Sequence, residues 1–499
     1  MPYYRAELGG NPPYEEGQGL DLTDSTLSLN VASTSEYGGA KVDGETISIN
    51  AQGQLFAYID QIITLSSNTS SVNSGSTDTI TATASGGGTI FATSNDTDVA
   101  TVSVSNGEIT ITGVSAGNTI ITVTASSVGQ YSPAEAVISV EVIEAVHIYG
   151  AEWDGSSNPA WTRTDDAVGF VDPNPSVNGS TGSSPFDNIM PWAGMQIVTY
   201  YFGGTLVEIP KFYYKLDQVN GNGLKIQISE NQFDGSVCSP AHMDRGDGVG
   251  ERDYIYVGRY HCSQSIYRST SGVTPQVNKT RADFRASIHN KGSYVWQMDF
   301  ATRFTLWLLY IVEFANWNSQ TKIGYGCGNN SGVQAMGYTD SMPYHTGTTQ
   351  ASRTTYGLGT QYRYIEGLWD NVYDYLDGCY YNSNGLNIIL NPANFSDSSG
   401  GISVGRPVGG YPSKFEKKDV SGTFPMFIPT EGSGSDSTYS CDSWSFNASY
   451  PCLFAGGVYY RDLNLGLFCV NYTSATLASA SRGCRLMVLP PSRLSPPTS

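Results

Sequence analysis

Between Ile62 and Val142 the chain alternates apolar and polar residues with period two in five short runs: Ile80–Ala84, Ala100–Val104, Glu108–Ile111, Thr119–Thr124 and Val137–Val142. Successive side chains of a strand point to opposite faces, so each run predicts a strand with one buried face. Asn106-Gly107 separates two of the runs, and this dipeptide suits the positive φ angles of a two-residue hairpin. Strands at this spacing over about 80 residues predict a small two-sheet sandwich.

Composition changes sharply just beyond this region. Residues 1–150 carry two basic and sixteen acidic residues, no Cys and no Trp. All 8 Trp lie from Trp153 to Trp444, and all 8 Cys from Cys238 to Cys484. Two kinds of structure are therefore joined: an acidic, Ser/Thr-rich β part and a large aromatic part. The expected class is mainly β with a smaller α+β part. The net charge of −19 argues against nucleic acid and anionic membranes as partners, because both are polyanions. No apolar run is long enough to predict membrane insertion, and MPYYRAELGG lacks the apolar stretch of a signal peptide, so export by that route is not expected.

An even count of cysteines suits disulfides in a secreted protein. Without a signal peptide, the expectation shifts to buried free thiols that pack as small hydrophobes. No Cys-x-x-Cys pair occurs and only 5 His are present, so a zinc site is not expected.

Near the N-terminus, Thr26-Leu-Ser-Leu-Asn30 and Thr46-Ile-Ser-Ile-Asn50 repeat one alternating strand. A β unit this short cannot bury an apolar face alone and needs neighbours, either repeats or copies from other chains. Tyr37-Gly-Gly-Ala-Lys-Val42 before the second strand resembles the short repeats of trimeric phage fibre proteins. That resemblance implies a homotrimer joined through residues 1–60 to capsid or tail proteins of a virion. Residues 61–145 resemble the bacterial immunoglobulin-like group 2 domain, through Ser94-Asn-Asp-Thr-Asp-Val-Ala-Thr-Val102, Gly107-Glu-Ile-Thr-Ile-Thr-Gly113 and Gly117-Asn-Thr-Ile-Ile-Thr-Val123. This implies a spacer or adhesive module without catalytic residues.

Residues 146–490 form the large aromatic part, followed by a tail at 491–499. Phe304, Trp307, Leu308, Ile311 and Ala315 recur at helical spacing, with Asp299 as N-cap and with Arg303 and Glu313 expected to face away from the core. Lys279–His289 is a second helix candidate. The Gly/Asn/Ser/Tyr punctuation elsewhere predicts long loops on a modest core. Leu368-Trp-Asp-Asn-Val-Tyr-Asp-Tyr375, Phe454-Ala-Gly-Gly457 and Arg482-Gly-Cys-Arg-Leu486 together resemble the C-type lectin-like fold of the formylglycine-generating-enzyme branch, as found in phages of gut Firmicutes.

The resemblance does not extend to that branch's oxidase chemistry. Cys441, Cys452, Cys469 and Cys484 are the only late cysteines, none in the enzymes' motif, and Ala455 stands where the enzymes carry Arg. No enzymatic activity and no required cofactor are therefore expected. The Glu-Pro-Asn or Gln-Pro-Asp triplet of calcium-dependent sugar binders is also absent. Asp370, Asn371, Asp374 and Asp377 lie close in sequence and could hold Ca²⁺ through oxygen ligands; otherwise they form a solvated acidic turn.

The expected ligand face lies between Tyr459 and Ser481, with Tyr459, Tyr460, Arg461, Asp462, Asn464, Asn471 and Tyr472 as its binding residues. Tyrosine supplies rigid contact area at low entropy cost, and Asn, Asp and Ser supply adaptable hydrogen bonds. The resemblances imply a phage fibre or capsid-decoration protein on the virion surface, made in the host cytoplasm, that binds host-surface or mucosal glycans or proteins. A bacterial surface adhesin of the same build is the alternative, and a formylglycine-generating-type oxidase a weaker one.

Overall fold

A computed structural model describes residues 59–200, 202, 204–326, 331–460 and 465–494, and the backbone of five short strands between Asp21 and Tyr58. The fold is mainly β with a smaller α+β part, as the patterning predicts. The chain divides into two compact units, Met1–Ala145 and Val146–Ser499.

In the first unit, Thr26–Ser28 pairs antiparallel with Asp21–Thr23, and Glu45–Ile49 pairs with Ala40–Val42 and Leu55–Tyr58. Both repeated runs are thus strands. Beyond them stands a sandwich of two four-stranded sheets. One sheet orders Ala100–Ser105, Glu108–Gly113, Thr77–Ala84 and Ile63–Leu65; the other orders Thr69–Asn73, Ala134–Ile143, Gly117–Ala125 and Ile90–Ser94. Alternation does what period two requires: Ile80, Ile109, Ile111, Ile121, Val123, Ile138 and Val140 meet between the sheets, fully or almost fully buried. Asn106 and Gly107 turn the hairpin at φ 50° and 79°, closing on the Ser105–Glu108 pair. A Cβ on Gly107 would sit 2.7 Å from the Ala82 carbonyl oxygen, so the turn needs glycine for space as well as for φ.

The second unit is organised around one helix, α2 (Phe300–Phe314), preceded by a shorter one, α1 (Arg281–His289). The Asp299 carboxylate accepts the Thr302 N–H at 2.8 Å, and Ala315 ends α2 in the left-handed region at φ 46°. Thr280 and Asp283 form a reciprocal capping box on α1. All 15 residues of α2 are buried, and this corrects the expectation that Arg303 and Glu313 face away. The helix is central, so both charges lie inside and are met by long-range partners. Glu313 accepts from Arg363 (Nη2 to Oε1, 2.5 Å) and Tyr362, while Arg303 donates to the carbonyls of Leu368 and Leu467.

The core is also larger than the punctuated sequence predicts. Aromatic rings close around α2: Trp307 lies 5.6 Å from Phe468 and 5.7 Å from Trp444, and Trp317 stacks on Phe415 at 4.9 Å. The sheets of this unit are short, and loops with buried anchors join them. Arg245 of the Arg245-Gly246-Asp247 tripeptide is one such anchor, buried against Asp299.

Candidate functional site

A four-stranded sheet supports the expected ligand face. Its order is Val470–Thr473, Cys452–Ala455, Tyr373–Leu376 and Arg482–Gly483. Asn471 pairs with Phe454 and Tyr472 with Leu453, which leaves Asn471 and Tyr472 half-buried on an outer strand. Tyr459 and Tyr460 follow the Gly456-Gly457 turn, with ring centroids 4.9 Å apart and edge to face. The Tyr459 N–H donates to the Asn371 carbonyl at 2.9 Å. Tyr460 is 48% exposed. Arg461, Asp462 and Asn464 lie outside the described residues.

Two features of this face escape a reading of the sequence. Tyr450, 43% exposed, stacks on Tyr472 with centroids 5.8 Å apart and planes 10° from parallel. It lies upstream of the segment chosen from sequence, and its signal is the same Tyr/Asn/Ser mixture in Asn447-Ala-Ser-Tyr450. The second feature is a fixed turn at Gly466–Phe468, between the two parts of the segment chosen from sequence. The Asp442 carboxylate accepts the N–H groups of Gly466 at 2.7 Å and Phe468 at 2.8 Å. Ser319 accepts the Leu467 N–H at 2.9 Å, and Arg303 Nη2 and Trp307 Nε1 donate to the Leu467 carbonyl at 2.7 and 2.9 Å. The three N–H groups of this turn and the Leu467 carbonyl are thereby fixed by buried side chains. Asp442 is an isolated acid in sequence and offers no advance signal.

The glycines explain how the pieces approach so closely. A Cβ on Gly457 would fall 2.2 Å from the Trp369 carbonyl oxygen, and one on Gly456, at φ 81°, would fall 2.2 Å from that of Leu368.

The acidic segment is not a solvated turn. Asp370, Asn371, Asp374 and Asp377 are all buried, and each is committed to a different internal partner. Asp370 accepts from Thr360 at 2.8 Å and Tyr338 at 2.7 Å. The Asn371 side chain is tied to the backbone of Gln334. Asp374 meets His261 Nδ1 at 2.9 Å and Arg485 Nε at 3.3 Å. Asp377 takes a two-pronged contact from Arg285 at 2.7 Å. Among the described residues no group of three or more His, Cys, Asp or Glu is placed to hold a metal ion. Sequence proximity is misleading here because only Asp374 lies in the strand Tyr373–Leu376, and each of the four groups meets a different segment of the chain.

Burial sets the electrostatics of the unit. It pushes the Asp442 carboxyl up to about 7, against the pull of the Phe468 and Gly466 N–H groups and of Arg303. Burial likewise raises Glu366 to about 7, although Thr339 and Gly337 donate to it. Burial also acts upward on Asp374, but His261 and Arg485 outweigh it and hold the group at about 2. Among the described residues no carboxylate forms an ion pair with Arg303, and burial lowers it to about 10. The late cysteines are all buried, and burial raises Cys441 to about 12 and Cys452 to about 11, away from a reactive thiolate.

Tyr450, Tyr460, Asn471 and Tyr472 are exposed or half-buried and present rings, hydroxyls and an amide at the surface of the unit. The chain matches no family model and no curated protein.

Proposed function

We propose that the chain is a phage fibre or capsid-decoration protein on the virion surface whose C-terminal, lectin-like unit attaches to host-surface or mucosal glycans or proteins. What supports this reading is two tyrosine pairs, Tyr450–Tyr472 and Tyr459–Tyr460, together with the turn at Gly466–Phe468 that Asp442, Ser319, Arg303 and Trp307 fix. Pre-organised rings lower the entropy lost on binding, and tyrosine rings stack on sugar faces or fill protein pockets. In this reading residues 1–60 form a homotrimer joined to capsid or tail proteins, and the sandwich acts as a spacer.

The test compares the full chain with a Tyr459→Ala/Tyr460→Ala/Tyr472→Ala variant on host cells and a glycan array. A variant that stays folded and binds as well as the parent refutes the face. Light scattering addresses assembly separately, where a monomeric full chain refutes the trimeric arm.

A further inference from the structure

Cys262 and Cys484 meet inside the second unit. The Cys262 N–H donates to the Cys484 carbonyl at 2.8 Å. With standard backbone dimensions, that contact keeps the two α-carbons within about 6.7 Å. Disulfides span α-carbon separations of roughly 4.4–6.8 Å. The two thiols are also close enough that Cys262 raises the Cys484 thiol further, beyond the effect of burial. Both residues are fully buried, in an apolar cluster with Phe284, Leu486 and Val488.

Three of the five other described thiols have different neighbours. Cys379 donates to the Leu376 carbonyl and Cys441 to the Tyr439 carbonyl, and Glu251 acts on the Cys238 thiol, raising it further. The surroundings of the Cys262–Cys484 contact are also unusual. Each cysteine is the chain neighbour of a residue bound to one carboxylate: His261 precedes Cys262, Arg485 follows Cys484, and both contact Asp374. The same two short segments are thus joined twice, once through an ion-paired network and once through neighbouring thiols. Separation along the chain is 222 residues, so a covalent link here would constrain the unfolded chain strongly.

We propose that Cys262 and Cys484 are a disulfide-forming pair that locks the closing strand, Leu486–Val488, and the Asp374 network to the His261 segment when the protein is exposed to an oxidising medium. The reaction is thiol–disulfide exchange with a small-molecule disulfide such as oxidised glutathione. One cysteine thiolate attacks the small disulfide and expels one thiol. The second cysteine then attacks the mixed disulfide, forms the protein S–S bond and expels the other thiol. Two protein thiols lose two protons and two electrons, and one disulfide is reduced to two thiols. Because both sulfurs are buried, exchange takes place while the chain folds or opens, and the finished bond is shielded from reductants.

The experiment uses the full chain, unfolded in urea and refolded in buffers containing either reduced glutathione alone or a reduced/oxidised glutathione mixture. Free thiols are then alkylated under denaturing conditions, and the protein is digested without reduction for mass spectrometry. The expected result in the oxidised sample is a linked peptide pair containing Cys262 and Cys484, with a melting temperature several degrees above that of the reduced sample. A Cys262→Ala/Cys484→Ala variant should melt at the same temperature under both conditions. Full alkylation of both cysteines in refolded, oxidised protein overturns the proposal. A dominant link from either one to a different cysteine overturns it too. The linked peptide is read directly, so a variant that folds poorly does not obscure the outcome.

Discussion

Tyr450 and Tyr472 stack with ring centroids 5.8 Å apart and planes 10° from parallel, although 22 residues separate them in the chain. Each ring fixes the other's rotamer, so the pair presents one rigid aromatic surface. Tyr450→Ala is expected to weaken ligand binding about as much as Tyr472→Ala, by about 2 kcal/mol for a central aromatic anchor. The double variant should lose less than the sum of the two. Additive losses in titrations with a glycan or receptor found by array screening would show that the rings act independently.

Stability of the second unit should fall as the pH rises from about 4 to about 7. The Asp442 and Glu366 carboxyls lie at about 7 in the folded chain, against ordinary values of 3.8 and 4.5. Between those values the folded state holds protons that the unfolded state has released, so each added pH unit favours unfolding. The loss amounts to at most about 1.4 kcal/mol per pH unit for each group and levels off above pH ~7. All 8 Trp lie in this unit, so tryptophan fluorescence during heating follows it selectively. Asp442→Asn should flatten the profile, and an unchanged slope in that variant would remove Asp442 as its source.

On the acid side the sign reverses. Asp374 is held at about 2, so its contribution is complete above its ordinary value of 3.8 and is lost as the pH falls through about 2. Asp374→Asn leaves the buried Arg485 without its carboxylate and is expected to cost about 3–5 kcal/mol. Asp172→Asn removes an exposed partner of Lys322 and, at 3.8 Å, of Arg163, and should cost less than about 1 kcal/mol. Urea denaturation of the two variants separates these outcomes.

Gly457→Ala is expected to destabilise the unit by about 1–3 kcal/mol, because its Cβ would meet two backbone oxygens that cannot rotate away. These are the carbonyls of Trp369 at 2.2 Å and Leu465 at 2.9 Å. Gly332→Ala is the control, with nothing within 4 Å of its Cβ, and should be neutral. Equal denaturation midpoints for the two variants would contradict the close approach.

What the sequence determined by itself was local. Period-two alternation placed the sandwich strands, Asn106-Gly107 placed a hairpin, and Asp299 placed the start of α2, because strand faces, turn φ angles and helix caps are set by residues within a few positions of one another. Tyr459, Tyr460, Asn471 and Tyr472 were chosen on composition alone, and the structure leaves them exposed or half-buried. Tertiary structure alone decided where the charges went. Arg303 and Glu313 were expected outside on helical periodicity, yet α2 is wrapped on every side, and their partners come from distant segments such as Arg363 and Leu467. Asp370, Asn371, Asp374 and Asp377 looked like one cluster because they are neighbours in the chain. Folding sends them to Thr360, Gln334, His261 and Arg285, because a buried carboxylate or amide must find a donor or counter-charge wherever the chain can bring one. The same long-range closure sets Asp442 beneath Gly466 and Phe468 and brings Cys262 to Cys484, pairings that no local pattern encodes.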